Sequence, residues 1–170
     1  MSYESPNFKV IQKEGAFELR SYEVFYTSSV EQYANGSDSG FSVLFSYISG
    51  ENKQRQPMAM TVPVINEINA QSTTMEFVIP RQFYGSSIPQ PTRDGVVIRH
   101  YPAQLMATFR FSGSMTEAKL TTVTHQLKAW IQKLQLSIVS PLRMARYNSP
   151  FSLPMFRHNE ILFSVEQNKK

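Results

Sequence analysis

The chain has 170 residues, of which 41% are hydrophobic and 12% aromatic, and it contains no cysteine. Its 17 basic and 13 acidic residues give a net charge of +4, without a basic stripe of the kind that binds nucleic acid. We therefore expect one globular domain over 1–170 with a sizeable core. The composition excludes disulfides, thiolate ligands to metal or haem, and cysteine nucleophiles.

Targeting signals are not evident in the sequence. No apolar run reaches the roughly 20 residues that a membrane helix needs. Residues 1–6 lack the basic and apolar regions of a secretory signal. We expect a cytoplasmic protein that does not insert into membranes.

The first half of the chain predicts one helix among β-strands. Apolar residues spaced as i, i+3, i+4 and i+7 indicate a one-faced helix that Ser37 or Asp38 caps and Gly50 ends. They are Phe41, Leu44, Phe45 and Ile48. Stretches rich in β-branched and aromatic residues predict strands over 8–14, 17–22, 24–30, 58–65 and 75–79. Prolines and glycines predict an irregular loop over 81–95.

The second half repeats this order. Strands are predicted over 96–101, 103–111, 141–147 and 160–166. Residues 114–117 have a capping-box pattern and open a helix whose apolar side comprises Leu120, Val123, Leu127, Trp130, Ile131 and Leu134. Residues 19–22 align with 98–101 at a constant offset of 79. We interpret the chain as a duplicated strand-strand-helix-strand-strand unit, with repeats at about 8–80 and 95–167.

Three histidines are candidate metal ligands, but their spacing does not form a local zinc motif. His125 is expected at the polar edge of the second helix, and His158 where the last strand begins. Alternation along its strand puts His100 on the face opposite Arg99 and Tyr101. There it is either a core or edge histidine or an axial ligand to a bound iron.

Other catalytic motifs are sparse. The chain has no Gly-x-Ser-x-Gly elbow and no phosphate-binding glycine loop, and the pairing of its scattered acids cannot be read from spacing. Residues 57–64 hold two prolines and no charge, which predicts a strand framed by turns. Met58 and Met60 then share a face, where they either fill the core or offer a thioether to haem iron.

A series of motifs, in order along nearly the whole chain, resembles that of the SOUL/haem-binding protein family. The family hallmark M-x-M-T-x-P-V corresponds to residues 58–64. Other family patterns, among them E-x-R-x-Y, Y-I-x-G-x-N and R-R-N-E, correspond to 18–22, 45–52, 77–80, 89–91, 109–113, 147–150 and 157–160.

This resemblance implies a duplicated α+β fold, a distorted antiparallel β-barrel flanked by two helices. It implies that the protein binds haem or a related tetrapyrrole without catalysis. The macrocycle would lie in an apolar groove along the first helix, at Phe41, Leu44, Phe45 and Ile48, and we include Met58 of the hallmark in this site. Lys53 and Arg55, in the next loop, are the predicted partners of the haem propionates.

Several positions depart from the pattern of the haem-binding members. Their basic residues near the propionates are replaced by Asp38, Ser46 and Leu153, and an aspartate there would repel a propionate. A second branch of the family ligates iron through a histidine at the position of Ser21. The counterpart of that position in the second repeat is His100, the candidate axial ligand if haem binds to that half.

Two other functions fit the same sequence. The duplicated architecture also resembles the effector-binding domains of bacterial regulators, where a groove takes apolar cationic ligands near a central acid. Asp38 fits that description better than it fits haem. The amphipathic face over 41–48 is alternatively a protein-interaction surface, and a hydrolase is the least supported function.

Overall fold

The computed structural model describes residues 3–32, 39–148, 153, 155 and 157–169. They form ten mostly antiparallel strands and two α-helices, which confirms the predicted α+β class. The chain divides into two compact units. The first unit comprises Met1–Pro6 and Val24–Pro102, and the second comprises Asn7–Glu23 and Ala103–Lys170.

The first unit combines one helix with a four-stranded sheet. Its elements are β3 (Phe25–Gln32), α1 (Gly40–Ile48), β4 (Val64–Ile68), β5 (Thr73–Val78) and β6 (Val97–Tyr101), with a short 3₁₀ helix at Arg81–Phe83. The strands are ordered β4-β5-β3-β6, and α1 packs on β3 and β5. Leu44, Tyr47 and Ile48 of α1 join Met75 and Phe77 of β5 in the core.

The second unit holds the longer helix. Its elements are β1 (Phe8–Glu14), β2 (Phe17–Tyr22), β7 (Gln104–Phe111), α2 (Glu117–Lys133), β8 (Leu136–Ile138), β9 (Leu142–Arg146) and β10 (Asn159–Gln167). The strands are ordered β1-β2-β7-β10-β9, and β8 also pairs with β10. Leu127, Trp130 and Ile131 of α2 pack against Ile161 and Phe163 of β10, as the apolar spacing predicts.

Each unit includes strands from the other half of the sequence, β1 and β2 in the second unit and β6 in the first. β2 pairs with β7 in the second unit, and β6 pairs with β3 in the first. Both halves contain the predicted order of strand, strand, helix, strand, strand, although β1 in the first half and the three-residue β8 in the second are additional. The duplication itself stays an interpretation of the sequence.

Residues 57–63 do not form the predicted strand, because β4 begins only at Val64. Two prolines in this segment have no N–H for a ladder. The amide of Met58 donates instead to the carbonyl oxygen of Ile48 at 2.7 Å. Met58 is buried and Met60 half-buried, so the prediction that they share a strand face is wrong.

The first helix begins later than the spacing suggests. Ser39 is its N-cap residue, and the Ser39 side chain makes no capping hydrogen bond. The two predicted caps, Ser37 and Asp38, lie outside the described residues.

The second helix also begins inside its predicted motif. Thr116 is the N-cap, and its hydroxyl accepts a hydrogen bond from the Lys119 amide at 3.1 Å. The predicted capping box, which would have used Ser114, does not form, because the helix starts at Glu117. In the described part of the chain, no helix is long and apolar enough to cross a membrane.

Candidate functional site

The predicted apolar stripe of α1 divides between core and surface. Leu44 and Ile48 are buried, whereas Phe41 and Phe45 are 44% and 50% exposed. A helix of nine residues depends on packing for its stability, and Tyr47 completes its buried side. Two phenylalanines therefore remain available for contacts outside the core.

Phe41 and Phe45 form a pair of exposed rings, which we call the aromatic face. They lie one helical turn apart, with ring centroids 6.1 Å apart and ring planes 13° from parallel. The rings of Phe41 and Phe77 meet edge to face, with their centroids 5.3 Å apart. This contact holds Phe41 against the sheet. Nearly parallel, exposed rings of this kind suit an apolar aromatic ligand.

The turn that follows α1 is organised by Asn52, which is buried. Its Nδ2 donates to the carbonyl oxygens of Tyr47 and Gln56 at 3.1 and 2.8 Å, and its Oδ1 accepts from the Gln56 amide at 2.9 Å. Gly50, with a φ of 118°, allows the chain to leave the helix. These bonds fix the turn on which Arg55 lies.

A pocket of about 820 Å³ opens at the C-terminal end of α1. We call it the α1 pocket, and its lining comprises Phe45, Ser46, Ser49, Gly50, Glu51, Asn52, Arg55 and Thr92. Two of these residues carry opposite charges, the Glu51 carboxylate and the Arg55 guanidinium, and both are exposed. Phe45 belongs to both the pocket and the aromatic face, so the two features are continuous.

Apart from His100, the predicted binding residues fall into three groups. Phe41, Phe45 and Arg55 lie at the aromatic face or the α1 pocket. Lys53 is exposed on the same turn, where its amide donates to the Gln90 carbonyl at 2.9 Å, but it does not line the pocket. The others in the first unit belong to its core: Leu44, Ile48 and Met58.

The departures from the family pattern are also dispersed. Ser46 lines the α1 pocket. Leu153 is exposed, Ser21 lies on β2 in the second unit, and Asp38 falls outside the described residues.

His100 is exposed on β6, on the face opposite Arg99 and Tyr101, as alternation predicts. Its ring lies 5.0 Å from the ring of Tyr26. It is not among the residues that line the α1 pocket. Within the described residues, no group of three or more histidine, aspartate or glutamate side chains is arranged to hold a metal ion.

The second unit contains a buried ion pair that sequence spacing does not reveal. Glu160 is 1% exposed, and its two oxygens accept from the Arg20 guanidinium at 2.7 and 2.9 Å. His158 Nε2 lies 2.7 Å from the same carboxylate. Burial opposes ionisation, but the hydrogen bonds from His158 and Arg20 and the charge of Arg20 lower the pKa of Glu160 to about 2.

The first unit contains a buried carboxylate whose pKa is shifted in the opposite direction. Glu76 is fully buried and accepts hydrogen bonds from Thr27 at 2.6 Å and from Tyr101 at 2.9 Å. Its ion pair with Arg99 is longer, 3.3 Å, and Arg99 also pairs with Glu67 at 3.0 Å. Burial therefore dominates and raises the pKa of Glu76.

One sequence signal points to both of these buried ion pairs. Arg20 and Tyr22 recur as Arg99 and Tyr101 at the same offset of 79 residues. Two residues apart on a strand, each pair shares one face. An arginine on a buried strand face needs a carboxylate partner, but the sequence does not say which one.

The order of motifs along the chain has a counterpart in a family profile. The profile, described as SOUL heme-binding protein, matches residues 3–164, nearly the whole chain. The chain belongs to the SOUL family. This membership supports haem or tetrapyrrole binding at the level of the family. No curated protein sequence matches the chain significantly.

Solved structures resemble this SOUL-family chain in fold. The C-terminal domain of EcmrR is 12% identical, with a TM-score of 0.65, and the similarity covers 89% of this chain and 98% of that one. An uncharacterised conserved protein from Listeria innocua is 8% identical, with a TM-score of 0.62 and coverages of 90% and 93%. A hydrolase from Listeria innocua is 9% identical, with a TM-score of 0.59 and coverages of 92% and 94%. At these identities the similarity establishes the fold alone.

Proposed function

We propose that this SOUL-family protein is a non-catalytic haem or tetrapyrrole carrier or buffer, and that the macrocycle lies on the aromatic face of α1. The observation that carries this function is the exposed, nearly parallel pair Phe41 and Phe45, which adjoins a pocket containing Arg55. Aromatic rings stabilise a porphyrin by stacking and by burial of apolar surface. A guanidinium is a suitable partner for a propionate.

The residues at the site fit the ring and the carboxylates of a porphyrin. Among the described residues, the lining of the α1 pocket includes no histidine, methionine or tyrosine that would ligate iron. Bound haem would supply a redox-active iron, but Phe41, Phe45 and Arg55 would contact the macrocycle and its propionates. Ligation by His100 stays a separate hypothesis. Because the aromatic face is exposed, we expect reversible binding, as a carrier requires.

A lipophilic cation is the second candidate ligand, and one observation favours it. Glu51 places a carboxylate in the lining of the α1 pocket, where it could pair with a cation that rests on Phe45. Aromatic faces also attract cations through their quadrupole. Glu51 would then take the part that the sequence suggests for Asp38.

Two charge-neutralising substitutions in one turn distinguish these ligands. We expect Arg55→Gln to weaken protoporphyrin IX binding by up to about fivefold, since an exposed ion pair contributes up to about 1 kcal/mol. Glu51→Gln should leave that binding unchanged or strengthen it. The measurement is a titration of each variant with protoporphyrin IX, followed by the porphyrin absorbance.

The same variants are titrated with tetraphenylphosphonium by calorimetry. Binding of this cation alone, weakened by Glu51→Gln and unaffected by Arg55→Gln, would replace the tetrapyrrole function with the cation-binding one. The two variants are a matched pair, because both residues are exposed and each loses one unit charge.

A further inference from the structure

Helix α2 of the second unit carries a polar face beside its buried side. Thr121, Thr124, His125 and Lys128 are spaced as i, i+3, i+4 and i+7, so they lie on one side of the helix. Together with Leu120 and Leu142 they line a pocket of about 350 Å³, which we call the α2 pocket. This size is at the lower end of small-molecule sites.

One polar atom at this pocket has no partner. The Oγ1 of Thr124 is buried and makes no hydrogen bond among the described residues. Its neighbours on the helix behave differently, since the hydroxyls of Thr121 and Thr122 each donate to the carbonyl four residues earlier at 3.0 Å. A buried hydroxyl without a partner is unfavourable, and a ligand in the pocket could supply the missing hydrogen bond.

The charge at the α2 pocket favours an anion. Lys128 is exposed, and its ammonium lies 5.9 Å from the centre of the Phe163 ring without a carboxylate in ion-pair distance among the described residues. His125 is exposed beside it. In the part of the chain that the structure describes, the lining contains no acidic side chain, and Leu120 and Leu142 provide apolar walls.

A comparison of the two helices shows that their outer faces differ in chemistry. Leu44, Tyr47 and Ile48 of α1 have the same spacing as the buried residues Leu127, Trp130 and Ile131 of α2. In that alignment Phe41 corresponds to Thr124, and Phe45 to Lys128. The positions that hold the aromatic face in α1 therefore hold a hydroxyl and an ammonium in α2.

We propose that the α2 pocket is a second ligand site, which binds a small amphipathic carboxylate. The carboxylate pairs with Lys128 and accepts a hydrogen bond from Thr124, and the apolar body lies against Leu120 and Leu142. This site is separate from the aromatic face and does not depend on porphyrin binding there.

The probe is sodium octanoate, titrated into the full chain while the ring protons of the three histidines are followed by NMR. We expect saturable shifts of the His125 signals, and none with octanol at the same concentrations. Lys128→Gln should weaken octanoate binding by up to about fivefold, whereas Lys13→Gln, an equal loss of charge on β1, should not. Thr124→Val should weaken binding without lowering the thermal midpoint of the free protein, because the hydroxyl it removes is unpartnered.

Three results would overturn this second site. They are equal binding of octanol and octanoate, octanoate binding that Lys128→Gln leaves intact, and the absence of any saturable shift of His125. Phe45→Asp separates the two sites, since it should leave octanoate binding unchanged even if the aromatic face binds no porphyrin at all.

Discussion

Replacing Glu160 with glutamine should lower the free energy of unfolding by about 3 kcal/mol at pH 7, the usual cost of breaking a buried ion pair from one side. The substitution keeps the shape of the side chain but removes the charge that Arg20 faces at 2.7 and 2.9 Å. The guanidinium stays buried, 4% exposed, and loses its closest carboxylate, while the longer ion pair with Glu18, at 3.4 Å, remains. Urea denaturation followed by the fluorescence of Trp130, which lies in the core of the same unit, measures the loss.

Glu76→Gln is the matched control for this substitution. Glu76 is equally buried, but burial raises its pKa, so the folded state already disfavours its charge. We expect this variant to lose no more than about 1 kcal/mol. Equal losses of unfolding free energy in the two variants would contradict this difference between the two carboxylates.

The stability of the protein in acid should depend on the lowered pKa of Glu160. The pKa of Glu160 is lowered to about 2 in the folded state, so its contribution is complete above the unfolded pKa of about 4.3. It is lost as the pH falls from there toward 2. The difference in stability between the wild type and Glu160→Gln should therefore shrink over that range, and a difference independent of pH would contradict the assignment.

Phe45→Asp should reduce the affinity for protoporphyrin IX by about thirtyfold or more. The substitution removes half of the aromatic face, and the burial of one such ring contributes about 2 kcal/mol. The new carboxylate would also repel the propionates of the porphyrin. Absorbance titrations of the wild type and the variant give the two dissociation constants.

Val139→Asp is the control for this loss. Val139 is 50% exposed, as Phe45 is, but it lies in the second unit. Its substitution should leave porphyrin affinity unchanged, and circular dichroism should show both variants folded. Unaltered binding by folded Phe45→Asp would exclude the aromatic face as the porphyrin site.

Periodicity predicts much of this fold because most elements bury one face. The apolar spacing of α2 from Val123 to Ile131 matches its buried residues. The predicted turn between β1 and β2 is also present, and Gly15 has a φ of 60° there, which glycine adopts without strain. The strand prediction for residues 57–63 is wrong because their composition resembles that of a strand, whereas their prolines have no N–H to donate to a ladder. In α1, spacing alone does not show that Phe41 is exposed. Tyr47, which the predicted stripe omits, is buried instead, and its hydroxyl donates to the carbonyl oxygen of Pro89.

The candidate site is less predictable than the fold because its contacts are not local. The motif resemblance is sufficient to predict Phe41, Phe45 and Arg55 as site residues. Only the hydrogen bonds of Asn52 show how the turn places Arg55. The buried pair of Arg20 and Glu160 joins residues 140 positions apart. No spacing rule connects such residues, although the repeated Arg-x-Tyr marks one side of each pair.

The most direct test of the central claim is to locate bound protoporphyrin IX by NMR on the ¹⁵N-labelled protein. Porphyrin ring currents should shift the amides of α1 and of the turn around Asn52 in a saturable, one-to-one titration. The amides of α2 and β6 should move little. Saturable shifts centred on β6 around His100, or on α2, would contradict binding at the aromatic face, and no saturable shift at all would contradict tetrapyrrole binding by this chain.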